Sequence, residues 1–135
     1  MLYTQVNFSA VVVAALINIV LGSLWYSPLL FGAQWVKLSG MKMGDQNMPM
    51  WRSYGLMFLS SLVMAYALAQ LVAYTFSFSA LEGALTGACA AIGFVFTTSS
   101  AAVLFGGKSK MLYLIDNGYY LVGFAVMGAL LAVWQ

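Results

Sequence analysis

The sequence contains no histidine. That absence removes the commonest general base, the commonest transition-metal ligand and the usual axial ligand of a haem. A single cysteine, Cys89, excludes an intrachain disulfide and a thiolate metal cluster. Charge is equally scarce: 6% of the 135 residues are charged, against about a quarter in soluble domains. The acidic side chains are Asp45, Glu82 and Asp116, and the basic ones are Lys37, Lys42, Arg52, Lys108 and Lys110. They are too few and too scattered for a nucleic-acid footprint. The strings G-x-x-x-x-G-K-[ST], G-x-S-x-G and H-E-x-x-H do not occur. No catalytic, cofactor-binding or metal-ligating set emerges, so the expected cofactor complement is none. What is present is apolar: 64% of the residues are hydrophobic and 16% aromatic. A soluble domain of this size exposes too large a fraction of its surface to hide so much. The composition points to an integral membrane protein whose first partner is the lipid bilayer.

A helix needs about 20 apolar residues to cross the hydrocarbon core. Four stretches qualify, at about residues 6–27, 51–76, 80–106 and 111–134. They are too long and continuous for barrel strands. The expected fold is all-α: one domain over residues 1–135, an integral membrane four-helix bundle. The first stretch reads as a retained span rather than a signal peptide, since residues 1–7 hold no lysine or arginine and Trp25-Tyr26-Ser27-Pro28 is a poor cleavage site. All five basic residues fall in or beside the two connections at 28–50 and 107–110. The positive-inside rule then places both connections in the cytoplasm and both termini outside. Trp25, Tyr26, Trp51, Tyr74, Phe76 and Trp134 mark the borders, where amphipathic rings favour headgroup depth.

Within the longer connection, Phe31, Trp35 and Leu38 recur at i, i+4 and i+7. That spacing predicts a short amphipathic helix lying in the interface, either as an anchor or as a gate or docking surface. Gly40, Gly44 and Pro49 mark loop after it, and Met41-Lys42-Met43 and Met48-Pro49-Met50 offer soft apolar surface. Pro28 cannot continue a helix interior and ends the first span. The string Gly22-Ser23-Leu24-Trp25-Tyr26-Ser27-Pro28-Leu29-Leu30-Phe31-Gly32, followed by Trp35 and Gly40, resembles the signature of a family of small bacterial four-helix membrane proteins catalogued as a domain of unknown function. The resemblance implies the same fold and a bacterial plasma-membrane location. It carries over no catalytic residue.

Small residues recur at four-residue spacing, as Ala65, Ala69 and Ala73, and as Gly83, Gly87 and Ala91, with Gly123 and Gly128 near Ala125 and Ala129. Such faces serve close helix packing, within one chain or between copies. A homo-oligomer or a place in a larger membrane complex is the expected assembly. Polar residues inside a span are costly. Asn18, Thr97, Thr98, Asp116 and Asn117 sit at similar depth in the cytoplasmic half and are candidates for one polar or ion site. Against that, Asp116 can be a carboxylate paired with Arg52 or a loop lysine, and the hydroxyls of residues 97–100 can bond back to their own helix and bend it. Glu82 suits the first turn of its helix, Gln70 lies nearer the outer side, and Cys89 reads as a small packing residue. Two functional readings follow. One is a non-enzymatic structural or accessory module; the other is a small ion or solute channel or transporter working through the Asp116 region. An intramembrane enzyme is disfavoured, because Asp116 and Glu82 start at opposite ends of their spans.

Overall fold

The computed structural model describes residues 5–40 and 48–135. The expectations placed on Met41, Lys42, Met43, Gly44 and Asp45 lie outside those residues. The described chain is helical, in the order α1 (Phe8–Trp25), α2 (Gly32–Ser39), α3 (Met50–Tyr74), α4 (Ala80–Ala90), a π-helical segment (Ala91–Phe96), α5 (Thr97–Leu104) and α6 (Lys110–Val133). The run Ala80–Leu104 forms one continuous helix, so four helices are long and apolar enough to cross a membrane.

Local chemistry sets the helix ends, which fall within two residues of the expected span limits. Asn7 caps α1, its Oδ1 accepting the Ala10 N–H at 3.2 Å, so the helix starts at Phe8 rather than Val6. α1 then ends at Trp25, ahead of Ser27 and Pro28. Gly40 closes α2 with φ +72°, a conformation that disfavours a side chain. α3 stops at Tyr74, because Phe76 turns left-handed (φ 53°) and the Ser77 N–H returns to the Val72 carbonyl. Ser79 and Glu82 form a reciprocal capping box at the start of α4, and the Glu82 carboxylate also takes the Phe78 N–H at 2.8 Å. The expected helix-dipole role of Glu82 is thereby a hydrogen-bonding one as well. Ser109 caps α6.

The π segment was not legible from periodicity. The neighbouring hydroxyl run does what back-bonding side chains do: Thr97 donates to the Gly93 carbonyl at 2.7 Å, Thr98 to Phe94 at 2.5 Å, Ser99 to Val95 at 2.7 Å and Ser100 to Thr97 at 2.6 Å. Extra acceptor load on successive carbonyls loosens the ordinary ladder at the point where it widens.

α1, α3 and α6 meet in an apolar core of Ala10, Val11, Ala14, Ala15, Ala65, Leu68, Ala69, Val72, Met127, Leu131 and Ala132. α4 packs chiefly on α6. There a β-carbon on Gly83 would strike the Gly128 carbonyl, and one on Gly87 would strike the Phe124 carbonyl. The glycines exist to let two backbones touch. Both glycines are buried, as are Ala65, Ala69 and Ala91. The Gly83/Gly87 row is therefore occupied within the chain. Cys89, expected to be a small packing residue, is instead exposed.

Long helices consecutive in the chain run antiparallel, so α3 and α6, which also touch, run the same way. The C-terminus of α1 meets the N-terminus of α6 through Trp25, whose Nε1 donates to the Ile115 carbonyl at 2.9 Å. Lys37, Arg52, Lys108 and Lys110 consequently lie at one end of the molecule, here termed the basic end.

Candidate functional site: a polar pocket at the basic end

The first half of α6 carries Tyr113, Asp116, Asn117 and Tyr120 at i, i+3, i+4 and i+7. That spacing places four polar groups along one stripe of an otherwise apolar helix. The stripe faces the end of α1 and the π segment. Tyr26, just past α1, donates its hydroxyl to Asp116 Oδ1 at 2.7 Å. Lys108 Nζ lies 3.0 Å from Asp116 Oδ2. The carboxylate thus has both oxygens engaged, and its charge partner is the loop lysine. Arg52 is not the partner; its guanidinium stacks over the Trp51 ring at 5.3 Å. Asn117 is buried and donates to Ser99 Oγ at 3.0 Å, and Tyr113 donates to the Phe96 carbonyl at 2.7 Å, where the π segment ends. These two bonds clamp the α5 side of the long helix onto α6.

The residues of the family-like signature turn out to be the frame of this site. Trp25 holds Ile115, Tyr26 holds Asp116, Phe31 stacks on Trp25 at 4.7 Å, and Trp35 meets Tyr26 edge-on at 6.2 Å. The turn through Pro28 is tied by the Phe31 N–H to the Trp25 carbonyl and the Gly32 N–H to the Ser27 carbonyl, both at 3.0 Å. Gly32 is buried hard against the backbone of Tyr26 and Ser27. α2 so packs against the basic end of α6 and against Tyr26, just past α1.

Thr75, Ser77 and Thr86 tie α3 to α4 at their connected ends, Ser77 lying 3.0 Å from Thr86. Toward the basic end a pocket of about 990 Å³ lies among α1, α3, α6 and the π segment with the start of α5. This volume is at the top of the range of about 300–1,000 Å³ typical of small-ligand sites. Met57 and Met64 of α3 and Phe94 of the π segment give it apolar walls; Asp116, Asn117 and Lys108 give it a polar one.

Of the five residues expected to share one polar site, Thr98, Asp116 and Asn117 line this pocket. Asn18 and Thr97 do not, and each has a physical reason. Asn18 turns toward α3, where its amide donates to Ser61 Oγ at 3.0 Å, and its carbonyl accepts the Tyr119 hydroxyl at 2.9 Å. It is a buried strut between α1, α3 and α6. Thr97 is exposed, and its hydroxyl is taken up by its own helix. Sequence reasoning missed Ser61, Tyr113, Tyr119 and Tyr120. The tyrosine stripe on α6 was the available signal; nothing local marks Ser61.

Neither the curated proteins nor the solved structures include a match to this chain. The family model described as "Protein of unknown function (DUF1761)" matches residues 9–132. Nearly the whole of the described helical framework falls inside that range, and the chain belongs to this family of unknown function.

Proposed function

We propose that this chain is a non-enzymatic membrane protein, a four-helix bundle that binds a small solute with an apolar body in the pocket at its basic end. The observation that carries the reading is the pocket itself, about 990 Å³ with one polar wall, in a chain otherwise packed through small residues. A polar wall at membrane depth is costly unless it serves a ligand or a pathway. Support for a non-enzymatic role comes from the lack of histidine and from the engagement of both Asp116 oxygens. Glu82, the other acid among the described residues, caps a helix at the opposite end. Carriage or slow permeation of the same solute is compatible with this site, and association with further copies would use a face other than the Gly83/Gly87 row.

Thr98→Trp tests the reading. Thr98 lines the pocket, and its hydroxyl bonds to the carbonyls of Phe94 and Val95 on its own helix. An indole there fills space without breaking a tertiary bond. In a thermal-shift screen of small amphipathic compounds, the parent protein should be stabilised by some of them, by about 2–3 kcal/mol at a hundredfold excess over Kd. Thr98→Trp should lose those shifts while keeping its own melting temperature. Identical responses of parent and variant would refute a ligand role for the pocket.

We further propose, from the positive-inside rule, that the basic end faces the cytoplasm of a bacterial cell, with α2 as an interfacial anchor and both termini outside. An impermeant amine reagent applied to sealed, inside-out vesicles should label Lys37 and Lys108 together. Labelling of one without the other would break the topology.

A further inference from the structure

The pocket holds one carboxylate and one ammonium, and these neutralise each other across 3.0 Å. The two groups are not equivalent. Asp116 is fixed in α6, with one oxygen held by the Tyr26 hydroxyl at 2.7 Å. Lys108 stands on the connection between α5 and α6; the two side chains are similarly exposed, 27% and 21%, so the difference between them is the reach of the stem. A flexible four-carbon stem of that kind carries its charge out to water at small cost. Asp116 has no such exit. Once Lys108 withdraws, the pocket presents a carboxylate beside a continuous run of aromatic rings. Trp35 meets Tyr26 at 6.2 Å, Tyr26 meets Tyr119 at 5.7 Å, and Tyr119 meets Tyr120 at 5.2 Å.

Ring faces attract ammonium groups, and a carboxylate set among them adds full opposite charge. An anion would meet a like charge that the Tyr26 hydroxyl holds in place. The methionines of α3 supply a polarisable wall for an apolar body. We propose that the pocket takes an organic cation, an ammonium or related onium with an apolar body, and that Lys108 is its tethered stand-in, neutralising Asp116 until the ligand displaces it. This rests on the binding role proposed above and adds to it the charge of the ligand and the residue it competes with.

The test uses the whole protein in lipid nanodiscs, titrated with tetraphenylphosphonium and with tetraphenylborate, two probes of one shape and opposite charge. Binding to empty nanodiscs is subtracted. The phosphonium should bind saturably and the borate should not. Lys108→Gln removes the tethered competitor and should tighten phosphonium binding about tenfold; Asp116→Asn should weaken it about tenfold. A gain of affinity in Lys108→Gln cannot be mimicked by a folding defect, so the proposal does not hang on Asp116→Asn alone. Preferential borate binding, or weaker phosphonium binding in Lys108→Gln, overturns the assignment of charge. Where borate binds and Thr98→Trp blocks it, the pocket remains a binding site and the cation proposal alone fails. Where phosphonium binds equally well to Thr98→Trp, both fail.

Discussion

Gly87→Leu should lower the stability of the folded protein by about 3 kcal/mol, the upper end of what overpacking costs a close-packed interior. A β-carbon at Gly87 alone would strike the Phe124 carbonyl and come within 3.2 Å of the Ala125 nitrogen, and leucine adds three further heavy atoms. Backbone cannot step aside as the tip of a side chain can. α4 would have to lift from α6, its main packing partner. In lipid no hydrophobic force restores the contact, since the acyl chains solvate the separated faces as well as the helices solvate each other. The measurement is the melting temperature in detergent, with Gly55→Leu as the comparison. Gly55 also lies inside a helix, but a β-carbon there meets nothing within 4 Å. A loss in Gly87→Leu no greater than in Gly55→Leu would show that the glycine row is not a packing face. The variant also bears on the pocket. α4 and α5 belong to one continuous helix, so displacing its α4 half should move Phe94 and Thr98.

The second large effect is expected at Gly32. The added methyl of Gly32→Ala would strike the Tyr26 carbonyl and lie 2.7 Å from the Ser27 carbonyl oxygen. The smallest possible side chain is therefore already too large, and a loss of about 2 kcal/mol is expected. The turn that must open is the one that aims Trp25 at the Ile115 carbonyl and Tyr26 at Asp116. Gly32→Ala should for that reason couple to Trp25→Phe. If the strained turn releases the indole, the double variant should be destabilised by less than the sum of the two single ones. Strict additivity would mean that Gly32 and the Trp25 hydrogen bond are independent, and the signature string would then lack the framing role described above. Residues of the string from Gly22 to Trp35 join the end of α1 to the first turns of α6 and line one side of the pocket.

Where the polar residues point was only partly legible. Depth along a span can be counted from the sequence, and the count put Asn18, Thr97, Thr98, Asp116 and Asn117 at one level; of these, Thr98, Asp116 and Asn117 line one pocket, while Asn18 lies against Gly123, about two turns along α6 from Asp116. Direction around the helix could not be counted. In a soluble helix the core face is apolar and the other is not, so the pattern encodes rotation. In a lipid-solvated helix both faces are apolar, and the pattern is nearly silent about which of them meets a neighbour. Asn18 faces Ser61 and Gly123 rather than the Asp116 carboxylate. The tyrosines of α6 formed the polar stripe that a rotation-aware reading would have used.

The sequence alone determined that four stretches are long and apolar enough for a bilayer, that the cations cluster beside two connections, and that histidine chemistry is absent. These are additive properties of residue type, length and position. The tertiary structure decided that Lys108 rather than Arg52 meets Asp116, that the Gly83/Gly87 row is filled by α6, and that a π segment between α4 and α5 borders a pocket. Each of those depends on the rotation and separation of whole helices. They are set by backbone contacts and hydrogen bonds between residues as far apart in the chain as Tyr26 and Asp116, which no local pattern records.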